Sequence, residues 1–140
     1  MALIHKQGKI VILLSGRFAG CKAVIVSNNH QRKKFENCVL LGISKYPSRY
    51  FKKKSKVSDA KSNKIKVFIK KVNKNHFFVT RYNVNFGEEN GKLIRKFALN
   101  YIKNKKLQAK NNGEKNFIKN LLSEQCLFDK NKWFFERLKF

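Results

Sequence analysis

The chain has 140 residues, with 33 lysines and arginines against 8 acidic residues and a formal charge of +25. Its 42% apolar content, including 13 phenylalanines, excludes a disordered basic tail, because that much apolar surface offsets the entropy of ordering a core. The charge repels itself and calls for a dense polyanion as partner, with nucleic acid ahead of a membrane surface. Only six of the cations are arginine. Lysine acts as a point charge on phosphate and arginine reads base edges, so the balance favours backbone contact.

In chain order, the N-terminus MALIHKQGK has no leader-like apolar run. No stretch approaches the ~20 apolar residues of a spanning helix, so a cytoplasmic protein with no membrane partner is expected. Residues 9–14 (KIVILL), 23–26 (AVIV) and 38–43 (CVLLGI) read as apolar, β-branched strands. Ile65, Val67 and Ile69 alternate with Lys66, Phe68 and Lys70, predicting a fourth strand; Tyr82, Val84 and Phe86 alternate with Asn83 and Asn85, predicting a fifth. Five short strands in this span predict a small closed or nearly closed barrel.

Between the first two strands, Gly16 and Gly20 bracket Arg17-Phe18-Ala19. Glycine permits positive φ and close backbone approach, so this loop is expected to press its N–H groups and Arg17 against a sugar-phosphate chain. Lys9 and Lys22 would add charge beside it. The same glycines would serve a plain tight turn equally well. Two further loops are basic. One, 27–37, carries Arg32, Lys33 and Lys34; the other, 44–64, carries Lys45, Arg49, Lys52, Lys53, Lys54 and Lys56. A loop as long as 44–64 is functional or disordered. Phosphate contact is favoured over mere solvation because it releases counterions. In the fifth strand Tyr82 is expected in the core and Arg81 on the opposite face, toward RNA.

After Gly91 the apolar period becomes helical. Leu93, Ile94, Phe97, Ala98, Tyr101 and Ile102 form one stripe, and Phe117, Ile118, Leu121 and Leu122 resume it after Asn111-Asn112-Gly113. The chain therefore divides into a barrel unit, 1–88, and a helical extension with a tail, 89–140. The ending NKWFFERLKF interleaves Lys132, Arg137 and Lys139 with Trp133 and its aromatic neighbours. These aromatics either anchor on unpaired bases or pack on the protein itself. If they anchor on nucleic acid, removing the last ten residues weakens assembly with it more than folding.

Catalysis needs converging groups, and the eight carboxylates are scattered; Glu88-Glu89 read as solvated turn residues. Cys21, Cys38 and Cys126 are odd in number and lack zinc spacing, which fits a reducing compartment and no metal. No enzyme activity, cofactor or small-molecule substrate is expected.

The segment GKIVILLSGRFAGCKAVIV (8–26) resembles the KOW motif of SH3-like barrels in ribosomal proteins and transcription elongation factors. YPSR (46–49), NHFFVTRYNV (75–84) and NKWFFERLKF (131–140) are similar, in the same order, to the eukaryotic-type large-subunit ribosomal protein family numbered twenty-seven. That resemblance implies a mainly β fold: an SH3-like KOW barrel followed by C-terminal helices and an aromatic, basic tail. It also implies a structural component of the large (60S) ribosomal subunit, bound to ribosomal RNA and neighbouring ribosomal proteins. The alternatives are a KOW-type transcription or RNA-processing factor, which leaves the NKWFF ending unexplained, and a cationic membrane-surface protein, which the β-rich half opposes.

Overall fold

The computed structural model describes residues 5–29, 37–46, 65–103, 113–127 and 133–135. Five strands form one antiparallel sheet: β1 (Lys9–Leu13), β2 (Lys22–Asn29), β3 (Asn37–Lys45), β4 (Lys66–Asn73) and β5 (Phe77–Asn83), in the order β4-β3-β2-β1-β5. Two helices follow, α1 (Glu88–Lys103) and α2 (Gly113–Leu127). This mainly β architecture with a helical C-terminal part fits the SH3-like KOW expectation.

β1, β2 and β3 are buried on both faces over most of their length, which is why they read as continuous apolar runs, while β4 shows Lys66, Lys70 and Lys71 to solvent and β5 buries only Phe77. Val11, Leu13, Ala23, Ile25, Cys38, Leu40, Phe68, Val72 and Phe77 form one cluster, the barrel interior. Its members include residues of both edge strands, β4 and β5, so the sheet curls until its ends share one core. Ile10, Val24, Val26, Val39, Leu41, Ile43, Val67 and Ile69 form the other face. Ile94 and Ala98 of α1, Ile118 and Leu122 of α2, and Phe134 and Phe135 cover that outer face. The curl is helped by three register shifts, at Val26 in β2, at Ser44 in β3 and at Thr80–Tyr82 in β5. Such bulges bend a strand and increase its twist.

One glycine sets how tightly the sheet can fold over. Gly42 of β3 lies opposite Phe68 of β4, and a Cβ built on Gly42 would collide with the Phe68 ring. The ring occupies the missing side chain's place and stacks on Phe18, centroids 4.0 Å apart and planes 4° from parallel. The β1–β2 loop is thereby fastened over the barrel mouth.

The fifth strand lies earlier than its alternation predicted, at 77–83 rather than 82–86. Its pairing partner, not its polarity, decides the position: Phe77, Phe78 and Val79 match Leu13, Ile12 and Val11 of β1. Val84 is buried just beyond the strand, its N–H donating to the Gly8 carbonyl. Glu88 and Glu89 are not turn residues but the exposed first turn of α1, where carboxylates favour the positive end of the helix. The helical stripe holds, centred on Ile94 and Ala98, with Phe97 against Phe117 of α2. Leu93 stands at its margin, 39% exposed.

Replacing Gly42 by alanine should lower stability by about 2 kcal/mol, the usual scale of overpacking, because the Phe68 ring must leave its stack on Phe18. Urea unfolding of the full chain checks this, and Phe68→Leu added to Gly42→Ala should recover part of the loss.

Candidate nucleic-acid interface

With both faces of the sheet covered, exposed cations gather on its loops, edges and bulge. The β1–β2 loop is the first such place. Gly16 and Gly20 have φ of +87° and +81°, and among the described residues no backbone approaches either one, so the glycines supply conformation rather than clearance. The amides of Ala19, Gly20 and Cys21 donate to the carbonyls of Gly16, Leu13 and Phe18. Those three N–H groups are therefore not the ones offered outward, as the sequence led us to expect; they close the turn. Arg17 remains exposed at the tip, its guanidinium 4.6 Å from the Phe18 ring centroid. Ser15 Oγ and His76 Nδ1, 3.2 Å apart, tie the loop's base to the β4–β5 connection.

The second place is the bulge of β5. Between Lys9↔Asn83 and Val11↔Val79, β5 advances four residues while β1 advances two. The Thr80 hydroxyl fills the gap, donating to the Ile10 carbonyl at 2.6 Å. Arg81 and Tyr82 consequently both stand outside the barrel, and Tyr82 is 41% exposed rather than in the core. The Arg81 guanidinium donates to the Tyr82 hydroxyl, and this hydrogen bond raises its pKa above the ordinary arginine value. Lys9 Nζ donates to the Arg81 carbonyl at 3.4 Å, joining the two cations that the sequence placed far apart.

Lys22 departs from its expected role. It is 1% exposed, its ammonium donating to the Trp133 carbonyl at 2.8 Å and lying 3.8 Å from the Trp133 ring centroid. Trp133 also rests on Tyr82 at 4.4 Å. A buried ammonium is tolerated only when hydrogen bonds and ring electrons replace its water. Lys22 therefore holds the tail on the barrel instead of facing a partner. Of the two readings of the tail aromatics, the described part bears out self-packing: Phe134 is fully buried, Phe135 nearly so, and Trp133 half-buried.

Lys45 is exposed at the end of β3. Arg32, Lys33, Lys34, Arg49, Lys52, Lys53, Lys54, Lys56, Lys132, Arg137 and Lys139 lie outside the described residues. Lys66 and Lys70 of β4, which the sequence already marks as the strand's basic edge, stand near the loop, the Lys70 ammonium 3.6 Å from the Cβ position of Gly16; the structure adds Lys115 and Lys119 of α2, which line a cleft with Arg17 and Lys66. A lysine pair at i, i+4 was the only sequence signal for the latter two. Thr80 had none beyond its place in the TRY segment. Among the described residues no group of three or more His, Cys, Asp or Glu is placed to hold a metal. No helix there is long and apolar enough to cross a membrane.

The curled five-stranded sheet, the glycine-bracketed loop and the cationic rim define a small KOW-type β protein. Comparison with known sequences is more specific. The chain belongs to the Ribosomal L27e protein family, whose model matches residues 10–140. It is 36% identical, over the full length of both chains, to the large ribosomal subunit protein eL27z of Arabidopsis thaliana. It is likewise 36% identical to eL27 of Pyrobotrys stellatus and 34% identical to eL27B of Saccharomyces cerevisiae, again over full lengths.

The burial of the tail reverses the expected order of effects on truncation. Phe134→Ala should cost roughly 3–5 kcal/mol, as for a fully buried aromatic, and deletion of residues 131–140 should impair folding before assembly is tested. Urea titrations followed by Trp133 fluorescence measure the first, and circular dichroism of the truncated chain the second.

Proposed function

We propose that the protein is a structural component of the large ribosomal subunit, bound to ribosomal RNA through phosphate contacts and seated beside other ribosomal proteins in the cytoplasm. The observation that carries this reading is the end-to-end similarity to large-subunit proteins, tail included. The surface is consistent with it. Exposed Arg17, Lys45 and Arg81, with half-buried Lys9, stand on a packed frame and present positive charge suited to backbone and shape recognition. The cations of 27–37, of 44–64 and of the tail add to the positive charge of the chain. The role is structural rather than catalytic, in keeping with the scattered carboxylates.

Cell fractionation tests the proposal: the protein should sediment with large subunits and stay there through a wash at moderate salt. Recovery in the free pool at physiological ionic strength would overturn it. The purified double variant Arg17→Gln/Arg81→Gln should bind ribosomal RNA fragments more weakly irrespective of sequence. Its log K against log salt slope should be shallower by about 1.4 to 1.8, at ~0.7–0.9 for each phosphate no longer neutralised.

A further inference from the structure

A cleft of about 410 Å³ opens along β4, an edge strand of the sheet, between the β1–β2 loop and α2. Arg17 of the loop, Lys66 of β4, and Lys115 and Lys119 of α2 line it, with Tyr101 and Asn116 among the polar wall residues. Among the described residues, no carboxylate lines the cleft.

Lys45 and Lys66 are register partners across the β3–β4 ladder, and like charges directly opposite repel. Lysine on an edge strand deters sheet-to-sheet pairing, which accounts for Lys66 alone. It does not account for three separate elements bringing cations to one concavity, where an anion would lie against all of them.

We infer that the cleft seats a single, unpaired stretch of RNA, whose phosphodiester chain bridges the barrel and the helical extension; this rests on the RNA-binding reading above. The volume lies at the small-ligand end of binding sites, roughly 300–1,000 Å³, which suits a nucleotide-sized segment and not the width of a duplex. Several cations spaced along a groove match the repeating charge of a sugar-phosphate chain. The asparagine amide and the outward backbone groups of an edge strand match its 2′-hydroxyls and phosphate oxygens. Because α2 supplies half of the cations, the bound strand also clamps α2 to the barrel.

The test uses the full chain and two RNA probes, a blunt hairpin and the same hairpin with a single-stranded extension. The triple variant Lys66→Gln/Lys115→Gln/Lys119→Gln is compared with Lys92→Gln/Arg95→Gln/Lys96→Gln, which removes equal charge from the exposed start of α1. The cleft variant should bind the extended probe at least about tenfold more weakly, with its salt slope shallower by about 2, and lose its preference over the blunt hairpin. The control should weaken both probes alike. Arg17→Gln, at an exposed loop tip where folding is not at issue, should give a smaller loss, greater for the extended probe than for the blunt hairpin. Equal effects of the two triple variants on both probes would overturn the cleft while leaving general RNA binding intact. Failure of the unsubstituted chain to bind either probe would sink the underlying reading as well. A photo-cross-linker at Asn116 in assembled large subunits should capture unpaired ribosomal RNA; capture of a neighbouring protein instead would overturn the proposal.

Discussion

A small sheet that is apolar on both faces is the constraint from which the rest of this molecule follows. The three central strands cannot leave either face in water, since each buried Ile, Leu or Val contributes roughly 1.5–3 kcal/mol. One face is hidden by curling, so that Phe68 and Val72 of β4 meet Phe77 of β5 in one interior. The other needs a cover from elsewhere in the chain. α1, α2 and the Trp133–Phe135 segment supply it, which makes the helical extension part of the core and not an appendage. The sequence division at residue 88 marks a change of period, not a boundary between independent units of packing.

Double burial also decides where charge can go. With both sheet faces taken up, cations are left to the loop tip, the sheet edges, the β5 bulge and the outer faces of the helices. The bulge illustrates how one backbone device serves this. The Thr80 hydroxyl takes over the Ile10 carbonyl, and the strand gains the slack to turn Arg81 and Tyr82 outward together. Lys22 is the exception that shows the rule. Its position opposite Ile12 in the β1–β2 ladder puts it on the outer face, where the tail arrives, so its ammonium is covered by Trp133.

Much of this is legible in the residues. Continuous runs such as KIVILL and CVLLGI announce strands, and GRFAG announces a glycine-bracketed turn whose positive φ angles are present. The stripe from Leu93 to Ile102 announces α1. What is not legible has physical causes. Polar–apolar alternation in 82–86 looks like a strand, yet hydrogen bonding to β1 places β5 earlier and leaves Val84 as a core plug. Parity puts Tyr82 in the core, and a bulge breaks parity. Lys22 looks exposed because its neighbours in sequence are a loop, whereas its fate depends on a segment more than a hundred residues away. The cations of the cleft come from a loop, a strand and a helix, and no local pattern links them.

The acidic and basic side chains divide the work accordingly. Glu88 and Glu89, the two acidic side chains the structure describes, sit in the first turn of α1, where the helix dipole accepts them. They serve the fold locally and offset little of the positive rim. The rim cations have the opposite character: Lys45 faces Lys66 across the β3–β4 ladder, and like charges directly opposite repel. Groups that face one another with like charge and are still held on a packed frame fit the polyanion-binding role proposed above, since a polyanion laid beside them offsets their repulsion.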